Sequence, residues 1–431
     1  MKVKVGLIGF GTIGSGVVRL LHEHSSLLER RSGVTVSLER IADVDLARDR
    51  GVDTSSAVLS NRYQDVLDDP AIDIVIELVG GTTVARDIVS GALRAGKHVV
   101  TANKALLYAH GDELFRLAVE QRRELRYEAS VAGGIPIVRV ITESLAGDRI
   151  RTIYGIVNGT TNFILTRMIE QQWTFEAALQ RAQELGFAEA DPTLDVDGSD
   201  ARHKLAILVR LAFRHQVDTS QIATTGIQDI DLSDVLYAKE LGYVVKLLAF
   251  AKQSENQVTA RVSPTLLPEK CALGNVSNEY NAVMLESEFL GDSLYVGRGA
   301  GASPTATAVV ADIVDLATGL LGKQQFNASS YAPVHDYTTG SHLDTKSRFY
   351  LRLATEERPG ILAVITKILG DHGISISAIT QKEAAGDQPI PIVLLTRLAV
   401  ERDLRSAVQA IDALDFVRGN TVIFHIEDIE I

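Results

Sequence analysis

The sequence predicts an α/β protein in three parts: a doubly wound parallel sheet, an α+β middle, and a small βαββαβ unit at the C-terminus. Three observations predict it. A glycine-rich loop joins the first strand to the first helix. Strand and helix patterns then alternate over residues 1–130. From residue 348 the pattern runs strand, helix, strand, strand, helix, strand.

At 431 residues the chain is too long for one core. Its 46% apolar content is that of a globular protein. The net charge of −12 argues against nonspecific binding of nucleic acid or an anionic membrane. Cys271 is the only cysteine, so no internal disulfide can form and a reducing compartment is expected. No Cys/His cluster has zinc spacing. No signal peptide and no run of 18 uncharged apolar residues is read, so the expected location is the cytoplasm.

The N-terminal third begins with Val3, Val5, Leu7 and Ile8 as a buried strand. Gly9-Phe10-Gly11-Thr12-Ile13-Gly14 follows at once, and Ile13, Val17, Val18, Leu20 and Leu21 carry helical spacing. This is G-x-G-x-x-G between strand and helix, the context a dinucleotide fingerprint requires. Gly9 allows the tight turn, Gly11 lets the backbone approach a pyrophosphate, and Gly14 lets helix pack on strand. The free N–H groups of the helix start face the phosphates. A second strand, 34–41, ends in Ala42-Asp43-Val44-Asp45. Asp43 would accept hydrogen bonds from ribose hydroxyls and repel a 2′-phosphate, which favours NAD over NADP. Arg40, Arg48 and Arg50 stand close by and could bind that phosphate instead. Strand 72–79, helix 84–95 and strand 98–101 continue a Rossmann-type pattern. Ligands of such sheets sit beyond the C-terminal strand ends. The loops there hold Gly80 and the Thr101-Ala102-Asn103-Lys104 turn, so Lys104 is expected at the mouth of the crevice.

In the middle, strand 125–130 leads into Val131-Ala132-Gly133-Gly134-Ile135-Pro136, with Pro136 suited to the first position of a helix. The turn's carbonyls could converge on a monovalent cation, or it could be a plain glycine turn. Strand 152–157 ends at Asn158-Gly159-Thr160-Thr161-Asn162, and a helix is expected over 163–171. These small polar side chains cap a helix, and they also suit the polar groups of an amino acid.

A second helix, 175–185, delivers the chain to an acidic block, 186–204. It holds Glu189, Asp191, Asp195, Asp197 and Asp200, and then Lys204. Pro192 and Gly198 make most of it loop. From Asp200 the pattern turns helical, with Ala201, Leu205, Ala206, Leu208 and Val209 as its apolar stripe. Asp200 therefore lies in the first turn and Lys204 one turn on, a pair worth only a few tenths of a kcal/mol by itself. A calcium loop is rejected: counted from Asp195, Gly198 is fourth and Ala206 twelfth, where an EF-hand needs glycine sixth and glutamate twelfth. A second glycine-rich stretch, Val296 to Ser303, precedes Pro304 and a helix over 305–320, read as returning to the first sheet.

Together these pieces resemble homoserine dehydrogenase of the long, regulated type. Residues 182–204 match that family's signature, A-x3-G-[apolar]-[small]-E-x-D-P-x2-D-[aliphatic]-x-G-x-D-x3-K, throughout. The resemblance implies a proton-donating lysine at Lys204 and an active-site lysine at Lys104. It implies substrate contacts at Glu189, Asp200, Gly159 and Thr160. Nucleotide contacts are implied at Gly186 and Gly301, besides the Gly9–Gly14 loop, Asp43, Gly80 and Thr101. A sodium site is implied on backbone carbonyls of Val131, Gly133 and Ile135, with Glu128. The implied reaction is reversible reduction of L-aspartate 4-semialdehyde to L-homoserine by NAD(P)H, within threonine, methionine and isoleucine biosynthesis.

The expected domains are 1–130, completed by 300–320, for the dinucleotide; 131–299 for substrate and dimerisation; a linker at 321–347; and 348–431. The last has the ferredoxin-like order. Its Glu356-Glu357-Arg358-Pro359-Gly360 loop looks like the ligand loop of an ACT domain, which implies feedback inhibition by L-threonine and a homo-oligomer, dimer or tetramer. Two departures from that pattern, Glu357 in place of aspartate and Gly373-Ile374-Ser375 at the second strand, leave open a role in assembly alone.

Overall fold

The computed structural model describes residues 2–322, 335, 337–381 and 389–429. The first domain is a six-stranded, wholly parallel sheet. Its strands are β1 (Lys2–Ile8), β2 (Thr35–Ala42), β3 (Val58–Ser60), β4 (Ile74–Glu77), β5 (His98–Thr101) and β6 (Leu125–Arg126). They lie in the order β3-β2-β1-β4-β5-β6. The order reverses direction beside β1, which opens a crevice at the strand ends. Helices α1 (Thr12–Glu23), α2 (Ser25–Ser32), α3 (Gln64–Leu67), α4 (Thr83–Arg94) and α5 (Lys104–Gln121) connect the strands. Asn103 caps α5 by accepting Leu106 N–H, and its amide also donates to Gly81 O at 2.7 Å. Lys104 is therefore the first residue of a helix pinned to the neighbouring loop.

The chain crosses to the second domain through a region that departs from expectation. Only Leu125–Arg126 is strand; Glu128–Ser130 is a 3-10 turn. Pro136 precedes α6 (Ile137–Arg139) rather than opening it, and the helix widens into a π turn over Val140–Ser144. The run of Val138, Val140, Ile141 and Thr142 is β-branched, and Thr142 hydroxyl bonds back to Val138 O at 2.7 Å. Both features weaken a regular helix.

The second sheet is mixed. β7 (Ile150–Ile156), β8 (Ala223–Thr224), β9 (Tyr243–Ser254), β10 (Gln257–Pro268), β11 (Tyr280–Ser287) and β12 (Gly291–Arg298) build its larger half. Helices α7 (Gly159–Gln171), α8 (Phe175–Glu184), α9 (Thr193–Val196), α10 (Ser199–Phe213) and α11 (Leu232–Glu240) belong to this half of the chain. α12 (Ala302–Gly322) returns to the first domain, where Ala306, Val309, Ile313 and Leu316 join Val5, Val17 and Val18 in one core. By length and composition α12 is apolar enough to cross a membrane, which the sequence reading did not register. Half of it is buried in this core, and it carries Asp312 and Asp315.

The C-terminal unit consists of β14 (Lys346–Thr355), α13 (Ile361–Asp371), β15 (Ile376–Gln381), β16 (Ile390–Thr396), β17 (Ala399–Val400), α14 (Glu401–Asp412) and β18 (Val422–Ile426). Its main strands lie in the order β18-β14-β16-β15. Most of the expected linker, residues 323–334 and 336, lies outside the described residues. Beyond it the chain is structured, with β13 (Thr338–Thr339) paired to β10. The unit is not a separate body on a tether. β18 pairs in parallel with β10 at Thr265↔His425 and Leu266↔Ile426, so one sheet runs through both domains. Arg352 forks onto Asp234 of α11 at 2.5 and 2.8 Å, and Tyr350 hydroxyl donates to the same carboxylate at 3.0 Å.

Candidate active site

The glycine loop has the geometry its sequence requires. Gly9 has φ +100°, in the left-handed region. A Cβ on Gly14 would stand 2.3 Å from Gly9 O, so only glycine lets α1 pack this close. Gly11 faces open space. With Asp43, Gly80 and Tyr63, Gly9 and Gly11 line a cavity of about 420 Å³ at the strand ends. Asp43 is held in place: it accepts Phe10 N–H at 2.5 Å and Asp45 N–H at 2.8 Å, and Arg50 lies 3.6 Å away. Arg50 also bonds Phe10 O and lies over the Phe10 ring. Thr12 and Ile13 open α1. Thr101 is fully buried and its hydroxyl donates to Glu77 at 2.6 Å. Glu77, which the sequence reading missed, is buried at the end of β4, and burial pushes its carboxyl up.

A second cavity, about 700 Å³, lies between the domains. Lys104, Gly159, Thr160, Gly186, Glu189, Asp200, Lys204 and Gly301 all line it, although they come from four separate stretches of chain. At its centre Asp200 bridges the two lysines. Lys104 Nζ stands 2.9 Å from one carboxylate oxygen, and Lys204 Nζ 2.7 Å from the other. Burial alone would raise the Asp200 carboxyl, but the charges of Lys204 and Lys104 hold it well below the usual range. Lys204 Nζ also donates to Val157 O at 2.8 Å.

The acids are visible in the sequence; what holds them is not. Asn158 is buried, and its amide nitrogen donates to Asp195 at 2.7 Å and to Asp200 at 3.0 Å. Its amide oxygen caps α7 by accepting Thr161 N–H at 2.8 Å. Burial, with Asp200 nearby, raises the Asp195 carboxyl. Thr160 hydroxyl donates to Phe187 O at 2.6 Å and so fastens the turn before Glu189. Glu189 itself is exposed at the rim. His203, Glu279 and Arg298 also line the cavity and were not anticipated. The helix expected over 163–171 begins earlier, at Gly159, because Asn158 is its cap.

This arrangement sets two cations and several acids around a cavity next to a dinucleotide crevice. The comparisons name its family. A model described as "Homoserine dehydrogenase" matches residues 136–314, and one described as "Homoserine dehydrogenase, NAD binding domain" matches 9–128. The chain is 40% identical over 430 residues to a homoserine dehydrogenase of Bacillus subtilis, covering 99% of this chain and 98% of the relative. The chain belongs to the homoserine dehydrogenase family. It is also 39% identical to the Neisseria gonorrhoeae enzyme, with 99% of each covered. A crystal structure of a homoserine dehydrogenase from Thiobacillus denitrificans superposes with a TM-score of 0.92, at 40% identity and 99% coverage of both chains. An ACT domain model matches residues 349–416. The protein is thus an NAD(P)-dependent oxidoreductase acting on a CH–OH group.

The turn expected to hold sodium has an unusual backbone. Ala132 and Gly133 both take positive φ, 54° and 47°. Among the described residues, no hydrogen bond reaches the carbonyls of Val131 or Gly133, while Ile135 O accepts Ile137 N–H at 2.8 Å. The Glu128 carboxylate is spent elsewhere, on Val138 and Arg139 N–H at 2.9 and 3.0 Å. Only its backbone carbonyl is left for a cation.

Proposed function

We propose that the enzyme reduces L-aspartate 4-semialdehyde reversibly to L-homoserine, with Lys204 as proton donor to the aldehyde oxygen. The observation that carries this reading is Asp200 gripping Lys104 and Lys204 at once within the cavity. An ammonium has three N–H donors. Val157 O and Asp200 take two from Lys204, which leaves the third for the substrate oxygen. Lys104 is the second cation, on the side of the dinucleotide domain. Asp200 orients both, and Glu189 at the rim suits the substrate's ammonium group. Gly159 and Thr160 also line the cavity. A bound reduced nicotinamide supplies the hydride. Gly186 and Gly301, which line the same cavity, are the proposed further contacts to it.

NAD is the favoured cofactor. Asp43 is ordered for ribose hydroxyls, while Arg40 is tied to Asp69 at 2.6 Å and Arg50 to Phe10 and Asp43. A homoserine dehydrogenase of a hyperthermophilic archaeon, 26% identical, is described in complex with NADPH, so both cofactors belong in the test. A sodium ion on the carbonyls of Val131, Gly133 and Glu128 would stiffen the crossing between domains. Those two free carbonyls support it.

The domain division at 1–130 with 300–320, 131–299 and 348–431, and a cytoplasmic location, belong to the same reading. So does a place in threonine, methionine and isoleucine biosynthesis. The ACT domain is proposed to sense L-threonine and to assemble a dimer or tetramer. β18 is occupied by β10, so β15 is the C-terminal unit's own edge strand proposed to meet a second copy. The deciding experiment offers L-homoserine with NAD⁺ or NADP⁺ and follows the reduced cofactor, with and without L-threonine. Faster turnover with NAD⁺ and inhibition by threonine are expected. Faster turnover with NADP⁺ would overturn the cofactor assignment, and indifference to threonine the regulatory one.

A further inference from the structure

The strongest unassigned feature is the dipeptide Val157-Asn158, between β7 and α7. Val157 O accepts Lys204 at 2.8 Å, and the next side chain, Asn158, donates to Asp200 at 3.0 Å. Two adjacent residues therefore grip both members of the acid–lysine pair on α10. The amide cannot turn freely, because its oxygen is committed to Thr161 N–H. Its nitrogen must then face the acids, one hydrogen for Asp195 and one for Asp200.

The dipeptide is itself fixed from behind. A Cβ on Gly159 would lie 2.7 Å from Glu279 O, so α7 starts tight against that loop. One turn on, Asn162 donates to Val276 O and Tyr280 O, both at 3.0 Å, and accepts from the buried Lys246 at 3.0 Å. Lys246 also bonds Val276 O at 2.6 Å. The grip thus rests on a hydrogen-bonded block made of β9, α7 and the loop before β11.

We propose that Asn158 is a positioning residue for the reaction: it aims the Asp200 carboxylate, and through it Lys204, while keeping Asp195 turned to the cavity. A half-buried carboxylate beside a buried one would otherwise repel it or share its proton. Two N–H donors from one amide let both remain acceptors. One oxygen of Asp200 is then left for Lys104, as observed. This inference rests on the reading of Lys204 as proton donor.

The test uses the full-length enzyme. Asn158→Asp keeps an oxygen for the α7 cap but removes both donors and adds a negative charge. Asn158→Ser keeps a cap and is too short to bridge the acids. Both should fold, as judged by melting, and bind NAD⁺ as the parent does. Turnover of homoserine should fall about tenfold to a hundredfold in both. Oxidation requires Lys204 without its proton. The groups facing it are Asp200 of α10, Lys104 of α5, Asp195 of α9 and His203 of α10. A further carboxylate among them should move the acid limb of the pH–rate profile upward by about one unit in Asn158→Asp, but not in Asn158→Ser. That pH shift reports the added charge; the positioning role is read from turnover that falls in both variants while melting and NAD⁺ affinity stay those of the parent. Lys204→Ala separates the two ideas. If it still turns over, the proton-donor reading fails. If it is inactive while both Asn158 variants match the parent in turnover and pH profile, the positioning role alone is overturned.

Discussion

Two aspartates in first helical turns sit among cations, and they differ in every respect that matters. Asp200 opens α10 and Asp234 opens α11. Asp200 meets two lysines and a 700 Å³ cavity. Asp234 has no exposed surface; it meets the planar fork of Arg352 and the hydroxyl of Tyr350, and closes a capping box with Asp231. Lysine is a point charge on a flexible stem that can exchange a proton, whereas arginine keeps its charge and holds a fixed geometry. The first arrangement suits chemistry and the second a joint. The helix-start acid is the same device in both, and the partner decides its use.

The joint should carry stability and no turnover. Arg352→Ala strands Asp234 without its fork, and the expected cost is about 3–5 kcal/mol by melting or urea titration, with turnover per folded molecule preserved. Loss of turnover with melting unchanged would erase the distinction. A pH scan should separate the regions next. His425, beside Glu401 and Ser263 at the β10–β18 seam, is kept neutral by burial, which lowers it from 6.5 to about 4. Its unfolded form takes a proton first, so stability is full above about 6.5 and lost as pH falls toward 4. Asp200 is shifted down, so its contribution persists until pH falls below the ordinary 3.8. Acid should therefore raise amide exchange in β18 before it does so in α10; the reverse order would contradict the assignment. The smallest expected effect is at the cofactor. Asp43→Ala should cut kcat/KM with NAD about tenfold more than with NADP, close to 1.4 kcal/mol. Equal losses would remove Asp43 from the choice.

The two aspartates also mark how far the sequence could be read. Asp200 and Lys204 are four residues apart, so local spacing shows the pair, and the glycine loop and its strand–helix context are equally local. Asp234 and Arg352 are 118 residues apart and belong to different domains, so no periodicity joins them. The β10–β18 seam escaped for the same reason. Asn158 was visible as a cap, but its second task depends on where α9 and α10 fold back. Glu77 looked like an ordinary strand residue until Thr101 was placed beside it. The region around residues 127–144 was misread because a run of β-branched residues keeps apolar spacing while distorting the helix.

The central claim is that the pair at Asp200 is chemical and not merely stabilising. Lys204→Ala tests it most directly, with homoserine oxidation and NAD⁺ binding measured on the same preparation. Turnover should fall by about 10²–10⁴ while NAD⁺ affinity stays that of the parent. Near-normal oxidation of homoserine by that variant would contradict the account.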